Sequence, residues 1–597
     1  MAEYLTPGVY IEETSFRSRS IEGVPTSTCG MTGLTRYGPV PYLLPNAVLT
    51  PKPVLVTSFT EFERAFGGLG PVPGLPDDTN YLAHAARAFF ANGGHRLYVQ
   101  RVFPFDPAAD PSKYFAKLAL GSPKPLATWH ARWPGAAGGS ITVRVQARRS
   151  RNVLIGSVLR GVAPGAAVEV GGSAGAALDP KKIRIVAGQA GALGYRAADG
   201  SVEAPTAGQQ VYHVSLDVTV NGEDHRSDTY SGLELDRAHP RWIGSVLQAA
   251  DPPDEFSLVW LEVTDPVTDP GALLAALLTD GARLSGGQEG VLSVAALQGE
   301  VADPDDVRKV GTGLAALGEI EDIAIVAMPD AVRFGPGNEC RQATQALLDH
   351  CKDLRYRVAV VDPPRDCALS QVREFRAQFD STYGALYYPW VELVDPTAIP
   401  DPSAPTPTLQ LPPSGSVAGI YARSDIERGV HKAPANEVVQ GITRFVTNIT
   451  YDRQAVLNPE GVNALRFFAG RSNRVWGART MSSDPEWKYV NVRRLFAYLE
   501  HSIEKATQWA VFEPNNERLW ASVRQSIEDF LLVTWRSGAL MGTKPEQAYF
   551  VRCDRTTMTQ NDLDNGRLIC LIGVAPTYPA EFVIFRIGQW TADARTS

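Results

Sequence analysis

Short, uninterrupted apolar runs constrain the fold of this chain more than any other feature. Residues 323–328 and 358–361 are entirely nonpolar, and residues 292–297 contain a single serine. Runs of this kind, without polar alternation, are typical of strands that are buried on both faces, as in parallel sheets covered by helices. Helices are predicted between these runs, at 307–317 and 342–354. The pattern predicts an α/β fold with a parallel sheet.

The N-terminal part of the chain has the same alternation of helices and strands. The predicted elements are a strand at 54–56, a helix at 59–66 capped by Ser58 or Thr57, a helix at 80–92, and a strand at 97–102. From about residue 104 to residue 285, Gly, Ala and Pro are frequent, and the predicted strands 141–145 and 214–220 alternate polar and apolar residues. We therefore expect a β-rich domain inserted into an α/β domain whose sheet resumes after it.

The C-terminal third has a different character. Residues 395–416 are rich in Pro, Ser and Thr and are predicted to form a linker or exposed loop. Two amphipathic helices follow, the second beginning near Asn515 and Asn516. Their apolar stripes are Val492, Phe496, Leu499 and Ile503 in the first helix, and Leu519, Val523, Ile527 and Phe530 in the second. Two strands, at 568–574 and 582–587, are predicted to close the chain.

The two ends of the chain each contain a strand with no evident local partner. Near the N-terminus, the turn residues Pro7 and Gly8 precede a short β-prone run. An unpaired strand leaves backbone donors and acceptors unsatisfied, so it needs a partner on the same chain or on another. The candidate linkage residues are Tyr4, Val9, Tyr10 and Ile11 at the N-terminus, and Phe582, Val583, Ile584, Phe585 and Ile587 at the C-terminus. Pairing of the two ends within one chain is the alternative.

Motifs typical of enzymes occur without the context that they need. Residues 171–175 match the G-x-S-x-G of a serine hydrolase, but Asp179 and Pro180 leave no room for the helix that should follow. Residues 311–316 match a dinucleotide-binding motif, but the residues before them, 303–310, resemble a capped helix start rather than a strand. We therefore predict no catalytic residues and no cofactor, although a dispersed Ser, His and Asp constellation stays open.

Charge and cysteine usage exclude other classes of protein. The formal net charge is −8, which does not favour binding to nucleic acid over the whole surface. The six cysteines are scattered without a C-x-x-C pair, so we expect reduced thiols and no metal site, even where Cys340, His350 and Cys351 come close in sequence. Neither a secretory signal nor a run of apolar residues long enough to span a bilayer is evident.

Several segments resemble the contractile tail sheath family of myophages, R-type pyocins and contractile injection systems. These segments are 5–13, 419–436, 457–466, 474–480, 491–496, 550–554 and 580–587. The resemblance is strong from about residue 417 to the end, good at the N-terminal arm, looser over the α/β region and weak over the insertion. At 468–472 the chain departs from the family, which more usually shows a Pro and a second Gly there.

The resemblance implies a multidomain α/β and α+β fold, with a subtilisin-like core that lacks a protease site, an inserted β-rich domain and a C-terminal domain with exchanged terminal strands. The expected divisions are 1–25, the N-terminal linking arm; 26–103 and 286–410, the two parts of the core; 104–285, the insertion; 411–581, the C-terminal sheath domain; and 582–597, the C-terminal linking strand. A subtilisin-like hydrolase and another tail component, such as a cap or terminator, are the alternatives.

The function implied by the resemblance is structural. The chain is expected to polymerise with itself as stacked sixfold rings around an inner tube protein, and to contract so that the tube crosses a target membrane. Baseplate and cap or terminator proteins are further implied partners, with no nucleic acid. The implied location is the bacterial cytoplasm during assembly, and then a virion or a released or cell-anchored injection particle.

A cluster of basic residues stands out in this acidic chain. The candidates for contact with the inner tube are Arg471, Arg474, Arg479, Lys488, Arg493 and Arg494. A positive patch of this kind would suit an acidic partner surface. A solvated face with internal salt bridges is the alternative.

Overall fold

The computed structural model describes residues 20–40, 53–106, 109–173, 175–189, 192–197, 201–264, 269–306, 309–399 and 402–586. Five of the predicted linkage residues, Tyr4, Val9, Tyr10, Ile11 and Ile587, lie outside these ranges.

The β-strands are β1 (Cys29–Gly33), β2 (Val54–Val56), β3 (Leu97–Arg101), β4 (Ala116–Leu120), β5 (Ala127–Ala131), β6 (Thr142–Asn152), β7 (Leu154–Ile155), β8 (Val158–Leu159), β9 (Ala167–Val170), β10 (Ile183–Gln189), β11 (Ala192–Arg196), β12 (Val202–Glu203), β13 (Val211–Asn221), β14 (Ser227–Leu233), β15 (Val259–Val263), β16 (Thr279–Arg283), β17 (Ser285–Gly286), β18 (Ile325–Ala327), β19 (Val358–Val361), β20 (Gly384–Tyr388), β21 (Val391–Val394), β22 (Thr408–Leu411), β23 (Arg444–Phe445), β24 (Val462–Phe468), β25 (Ser472–Val475), β26 (Tyr549–Arg552) and β27 (Leu571–Val574).

The α-helices are α1 (Phe59–Phe66), α2 (Tyr81–Ala91), α3 (Ile243–Val246), α4 (Pro270–Leu277), α5 (Val294–Gln298), α6 (Gly313–Ala316), α7 (Asn338–Leu354), α8 (Leu369–Arg376), α9 (Ser414–Arg428), α10 (Tyr451–Leu457), α11 (Val490–Thr507), α12 (Glu517–Arg536), α13 (Pro545–Ala548) and α14 (Gln560–Asp564).

A central sheet with strand order β2-β3-β1-β18-β19-β20-β24-β25 confirms the predicted α/β architecture. Its six interior strands are parallel, and the two edge strands β2 and β25 run antiparallel to their neighbours. Because β1 pairs with both β3 and β18, the N-terminal part of the sheet joins the later part directly across the insertion. Helices α2 and α9 pack on one face of the sheet and α7 on the other, so both faces are buried. The sheet continues past residue 411 through β24.

The inserted region is β-rich, as the sequence predicts. One of its sheets has the order β12-β11-β10-β9-β13-β6-β16, with β14 paired to β13, and a second has the order β15-β5-β4-β17. Alternate side chains of both sheets meet in one core around the fully buried Trp129. The described residues of the G-x-S-x-G match lie in the connection between β9 and β10, and the first helical element that the structure describes after them is a 3-10 turn at Pro180–Lys182 rather than an α-helix.

Three predictions about local structure were wrong. Residues 292–297 form no strand; α5 begins there because Ser293 Oγ accepts the amide of Ala296 at 3.1 Å, and Gly299, with φ +69°, ends it. Within the helix predicted over 307–317, the described residues 309–312 are not helical, and α6 begins at Gly313. Residues 395–416 are not wholly a linker, since they include β22, which pairs with β21, and the buried start of α9.

The C-terminal helices α11 and α12 confirm both predicted apolar stripes. Asn516 caps α12 by accepting the amide of Leu519 at 3.1 Å. The two helices, together with the two-stranded sheet of β26 and β27, enclose a separate core that includes Leu499, Ile527 and Val551. The run predicted as a strand at 568–574 is shorter than expected, because β27 begins at Leu571.

Candidate assembly surfaces

The sheet of β26 and β27 has only two strands in the part of the chain that the structure describes, so each strand keeps one edge without a strand partner. The pairing is antiparallel, from Tyr549 opposite Val574 to Arg552 opposite Leu571. One face packs on α12, while Phe550 and Leu571 are both 52% exposed. Two-stranded ribbons are marginal by themselves, and open edges with exposed apolar side chains are templates for a further strand.

The central sheet does not offer an equivalent edge at β25. The amide of Asn436 bonds the carbonyl of Val475 at 2.8 Å, and the amide of Val439 bonds the carbonyl of Asn473 at 2.9 Å. Residues 436–439 therefore cover this edge along its length.

The C-terminal segment that follows β27 is bonded to the C-terminal unit at residues 575–577 and is exposed at residues 582–585. Residues 575–577 remain bonded to the same unit, since the amide of Met541 donates to Ala575 and that of Thr577 donates to Ala539. The four residues from Phe582 to Phe585 are between 68 and 83% exposed and form no strand. The sequence predicts a strand buried in a sheet at this point, and that prediction is not fulfilled within a single chain.

Glu581 anchors the segment immediately before the exposed run. Its carboxylate accepts from Arg479 Nε at 2.9 Å and Nη2 at 2.7 Å, from Asn458 Nδ2 at 2.7 Å and from the Tyr489 hydroxyl at 2.8 Å. Desolvation raises the pKa of Glu581, but these hydrogen bonds together outweigh it and hold the pKa below its usual range. An open groove of about 970 Å³ lies beside this anchor, lined in part by Tyr451 and Trp476. The role of Glu581 was missed in the sequence, where a single acidic residue before an apolar run is the only signal.

The N-terminal residues that the structure describes lie on the same C-terminal unit. The amide of Val24 bonds Ser502 Oγ on α11 at 3.1 Å, and Arg494 Nη2 donates to the carbonyl of Thr26 at 3.0 Å. Ile21 is part of the core of this unit, and Gly23 lies so close to Tyr498 that a Cβ there would be 2.1 Å from the hydroxyl. Both chain ends are therefore anchored on the C-terminal unit before they leave the described part of the structure.

Three members of the predicted basic patch are not on the surface, and this corrects the prediction for them. Arg479 is buried against Glu581. Arg493 bonds Glu500 at 3.0 Å and stacks on Trp487 at 4.3 Å. Arg494 forms a buried pair with Asp425. A buried guanidinium requires such partners because an unpaired charge away from water is costly.

The other three basic residues remain at least partly accessible. Arg471 is exposed, and Arg474 and Lys488 are half-buried. Arg471 and Arg474 both contact Asn436, through its side chain and its carbonyl respectively, which holds them beside β25.

Two histidines of the insertion have carboxylate partners. His130 Nε2 bonds Glu262 at 3.0 Å and stacks on Trp260, and His213 Nε2 bonds Glu234 at 2.6 Å. Across the described ranges, no three His, Cys, Asp or Glu side chains are grouped so as to hold a metal ion. Within those same ranges, every helix is too short or too polar to cross a membrane.

Comparisons with known proteins point to one family. Residues 306–481 match the model described as phage tail sheath protein central domain, and residues 482–589 match the phage tail sheath C-terminal domain. A putative prophage major tail sheath protein of Pseudomonas aeruginosa (strain UCBPP-PA14) is 24% identical over 267 residues, which cover 43% of this chain and 65% of the relative. The chain thus spans less than two thirds of the length of the curated relatives first matched.

Two solved structures extend the comparison. The sheath of an extracellular contractile injection system, PVC, in the contracted state is 32% identical and covers 47% of this chain and 75% of that chain, with a TM-score of 0.40. The helical sheath of the anti-feeding prophage in the contracted state is 23% identical over 98% of this chain and all of that chain, with a TM-score of 0.50, and shares the fold.

Proposed function

Because the chain belongs to the phage tail sheath family, we propose that it is the structural subunit of a contractile sheath, built from stacked sixfold rings around an inner tube. The observations that carry this proposal are the exposed apolar run Phe582 to Phe585 and the open edges of the two-stranded sheet in the same chain. In a polymer, the run of one subunit adds as a strand to the sheet of β26 and β27 in another. This is β-augmentation, in which main-chain hydrogen bonds hold the strand and alternate side chains set its register.

A stable link between subunits needs a ladder of main-chain hydrogen bonds in addition to the burial of side chains. Burying four large apolar side chains is worth about 6–12 kcal/mol before any cost. Ordering the backbone of the same segment costs about 1–2 kcal/mol per residue, which removes most of that gain. Each ladder hydrogen bond adds a net of about 0.5–1.5 kcal/mol. The ladder therefore decides whether the link is stable.

The anchor at Glu581 favours pairing between chains over pairing within one chain. Glu581 is bonded to Arg479 and Asn458, which belong to the region around β24 and α10 rather than to the ribbon. The exposed run therefore starts from a residue whose side chain is bonded outside the ribbon of its own chain. The N-terminal arm is proposed to act in the same way through Tyr4, Val9, Tyr10 and Ile11.

Further parts of the proposal follow the family resemblance. The accessible Arg471, Arg474 and Lys488 are proposed to contact an acidic surface of the inner tube. Baseplate and cap proteins are proposed to hold the ends of the polymer, and the core is proposed to be subtilisin-like without protease chemistry. On contraction, subunits would bury new surface while the strand links persist, and a few hundred Å² of apolar area per subunit is worth several kcal/mol at ~25 cal/mol per Å². That energy would drive the tube through a membrane.

The test is whether the exposed run is needed for polymerisation but not for folding. The double variant Phe582→Asp/Ile584→Asp is expected to stay monomeric by size-exclusion chromatography and negative-stain microscopy, with an unchanged circular dichroism spectrum. The wild type is expected to form long tubes of uniform width. Phe512→Asp is the matched control, because Phe512 is fully exposed on the same unit but lies on a loop outside the ribbon. Tubes formed by the double variant, or their loss in the control, would refute the proposal.

A further inference from the structure

Two cysteines face each other where the strands of the two-stranded ribbon end. The register pairs Arg552 with Leu571, so the next residues outward, Cys553 and Cys570, are opposite each other across the ribbon. Immediately beyond them, Thr557 Oγ1 donates to the carbonyl of Ile569 at 2.8 Å. The two backbones are therefore held together on both sides of the cysteine pair. Cysteines directly opposite on antiparallel strands lie at a separation that a disulfide can span.

The two thiols also interact with each other in the reduced state. Both cysteines are free thiols, with Cys553 buried and Cys570 partly exposed. The hydrogen bond between the two thiols lowers the pKa of Cys553 and, together with burial, raises the pKa of Cys570. Such a pair combines an accessible sulfur with a second sulfur already in contact with it, which is the arrangement of a labile dithiol.

Three other buried thiols do not lie opposite a cysteine across paired strands, since Cys29 is paired with Leu97 and Ile325, and Cys340 and Cys351 lie on α7. Burial raises the pKa of Cys340 and of Cys351 to about 12, and it raises that of Cys29 still further. Buried thiols of this kind are inert towards oxidants in water.

We propose that Cys553 and Cys570 form a reversible disulfide that staples β26 to β27 when the chain meets a low-molecular-weight disulfide. One of the two cysteines loses its proton and attacks one sulfur of the oxidant, which releases one thiolate and leaves a mixed disulfide. The other cysteine loses its proton and attacks the protein sulfur of that mixed disulfide, which releases the second thiolate. Two cysteine thiols are oxidised to one disulfide, and the oxidant is reduced to two thiols.

The staple closes residues 554–569, a connection that contains α14, onto the base of the ribbon. Formation of the disulfide depends only on the geometry of the C-terminal unit. Its consequence for assembly rests on the proposed function, in which the ribbon of β26 and β27 receives a strand from another subunit. A ribbon locked in register would release an added strand more slowly, so particles that reach an oxidising medium would be stabilised against dissociation.

The experiment uses the full chain treated with oxidised glutathione, followed by alkylation of the remaining thiols in denaturant and mass spectrometry of peptides. We expect four alkylated cysteines instead of six, with Cys553 linked to Cys570, and a rise in the melting temperature that dithiothreitol reverses. Cys367→Ser is the matched control and is expected to retain the link, whereas Cys553→Ser is expected to lose both the link and the shift in melting temperature.

Several outcomes would overturn the proposal: six alkylated cysteines after oxidation, a link between other cysteines, a link between chains, or a glutathione adduct on one of the two cysteines that the other does not resolve. Failure of the wild type to form tubes would count against the proposed function and leave the disulfide intact. Tubes that form without the disulfide would support the proposed function and count against the disulfide.

Discussion

Replacing Arg494 by leucine is expected to destabilise the C-terminal unit far more than replacing an arginine on the surface. Arg494 donates to both carboxylate oxygens of Asp425, at 2.8 and 2.6 Å, and stacks on Tyr421 at 4.9 Å. Both members of the pair are almost completely buried. Breaking a buried pair by removing one partner costs about 3–5 kcal/mol, because the remaining charge is left without compensation.

The loss of stability caused by Arg494→Leu should depend on pH. Burial already raises the pKa of Asp425, and Arg494 is the main group that opposes this effect. Without Arg494 the folded-state pKa of Asp425 rises further above its unfolded value, so the folded variant takes up a proton more readily than the unfolded chain. The variant is therefore expected to gain stability as the pH falls from 7 towards about 4, while the wild type gains less.

Urea unfolding followed by circular dichroism, with hydrogen exchange at α9 and α11 to localise the effect, measures the loss. Arg471→Leu is the control, expected to change stability by less than about 0.5 kcal/mol because Arg471 is exposed. The double variant Asp425→Leu/Arg494→Leu is expected to recover part of the loss, since no buried charge remains. Equal effects of Arg494→Leu and Arg471→Leu would refute the reasoning, as would a double variant less stable than the sum of both single changes.

Two further predictions concern carboxylates. Burial raises the pKa of Asp362 to about 7, so the wild type should lose stability as the pH rises from about 4 to 7. The variant Asp362→Asn can still accept the amide of Ser414 and should be more stable than the wild type above pH 7 in thermal melts. A variant with the same pH dependence as the wild type would contradict this prediction. Because the pKa of Glu581 is lowered in the folded state, its contribution to the free energy of unfolding is complete above about pH 4.3 and is lost as the pH falls through the folded-state pKa. The variant Glu581→Gln should lose about 2 kcal/mol of stability at pH 7 and should show faster hydrogen exchange in residues 575–586. Unchanged exchange would count against the anchor.

The parallel sheet and its covering helices were predictable because their signals are local. The apolar run 323–328 contains β18 and the run 358–361 is β19, and the caps Ser58 and Asn516 accept amides within three residues of themselves. Residues 292–297 were one exception, because a short apolar run suits a buried strand and a buried helix equally well, and the cap at Ser293 decides in favour of the helix.

What the sequence by itself determined was the class of fold, the insertion and the apolar character of the C-terminal run. Only the tertiary structure decided which charges are on the surface and which thiols meet. Arg494 is paired with Asp425, 69 positions away, and Arg479 with Glu581, 102 positions away. No local sequence pattern predicts partners at such separations. Cys553 and Cys570 likewise appear scattered until the antiparallel register brings them opposite each other. Local propensity acts over a few residues, whereas the burial and pairing of charges and thiols depend on contacts that exist only after the chain has folded.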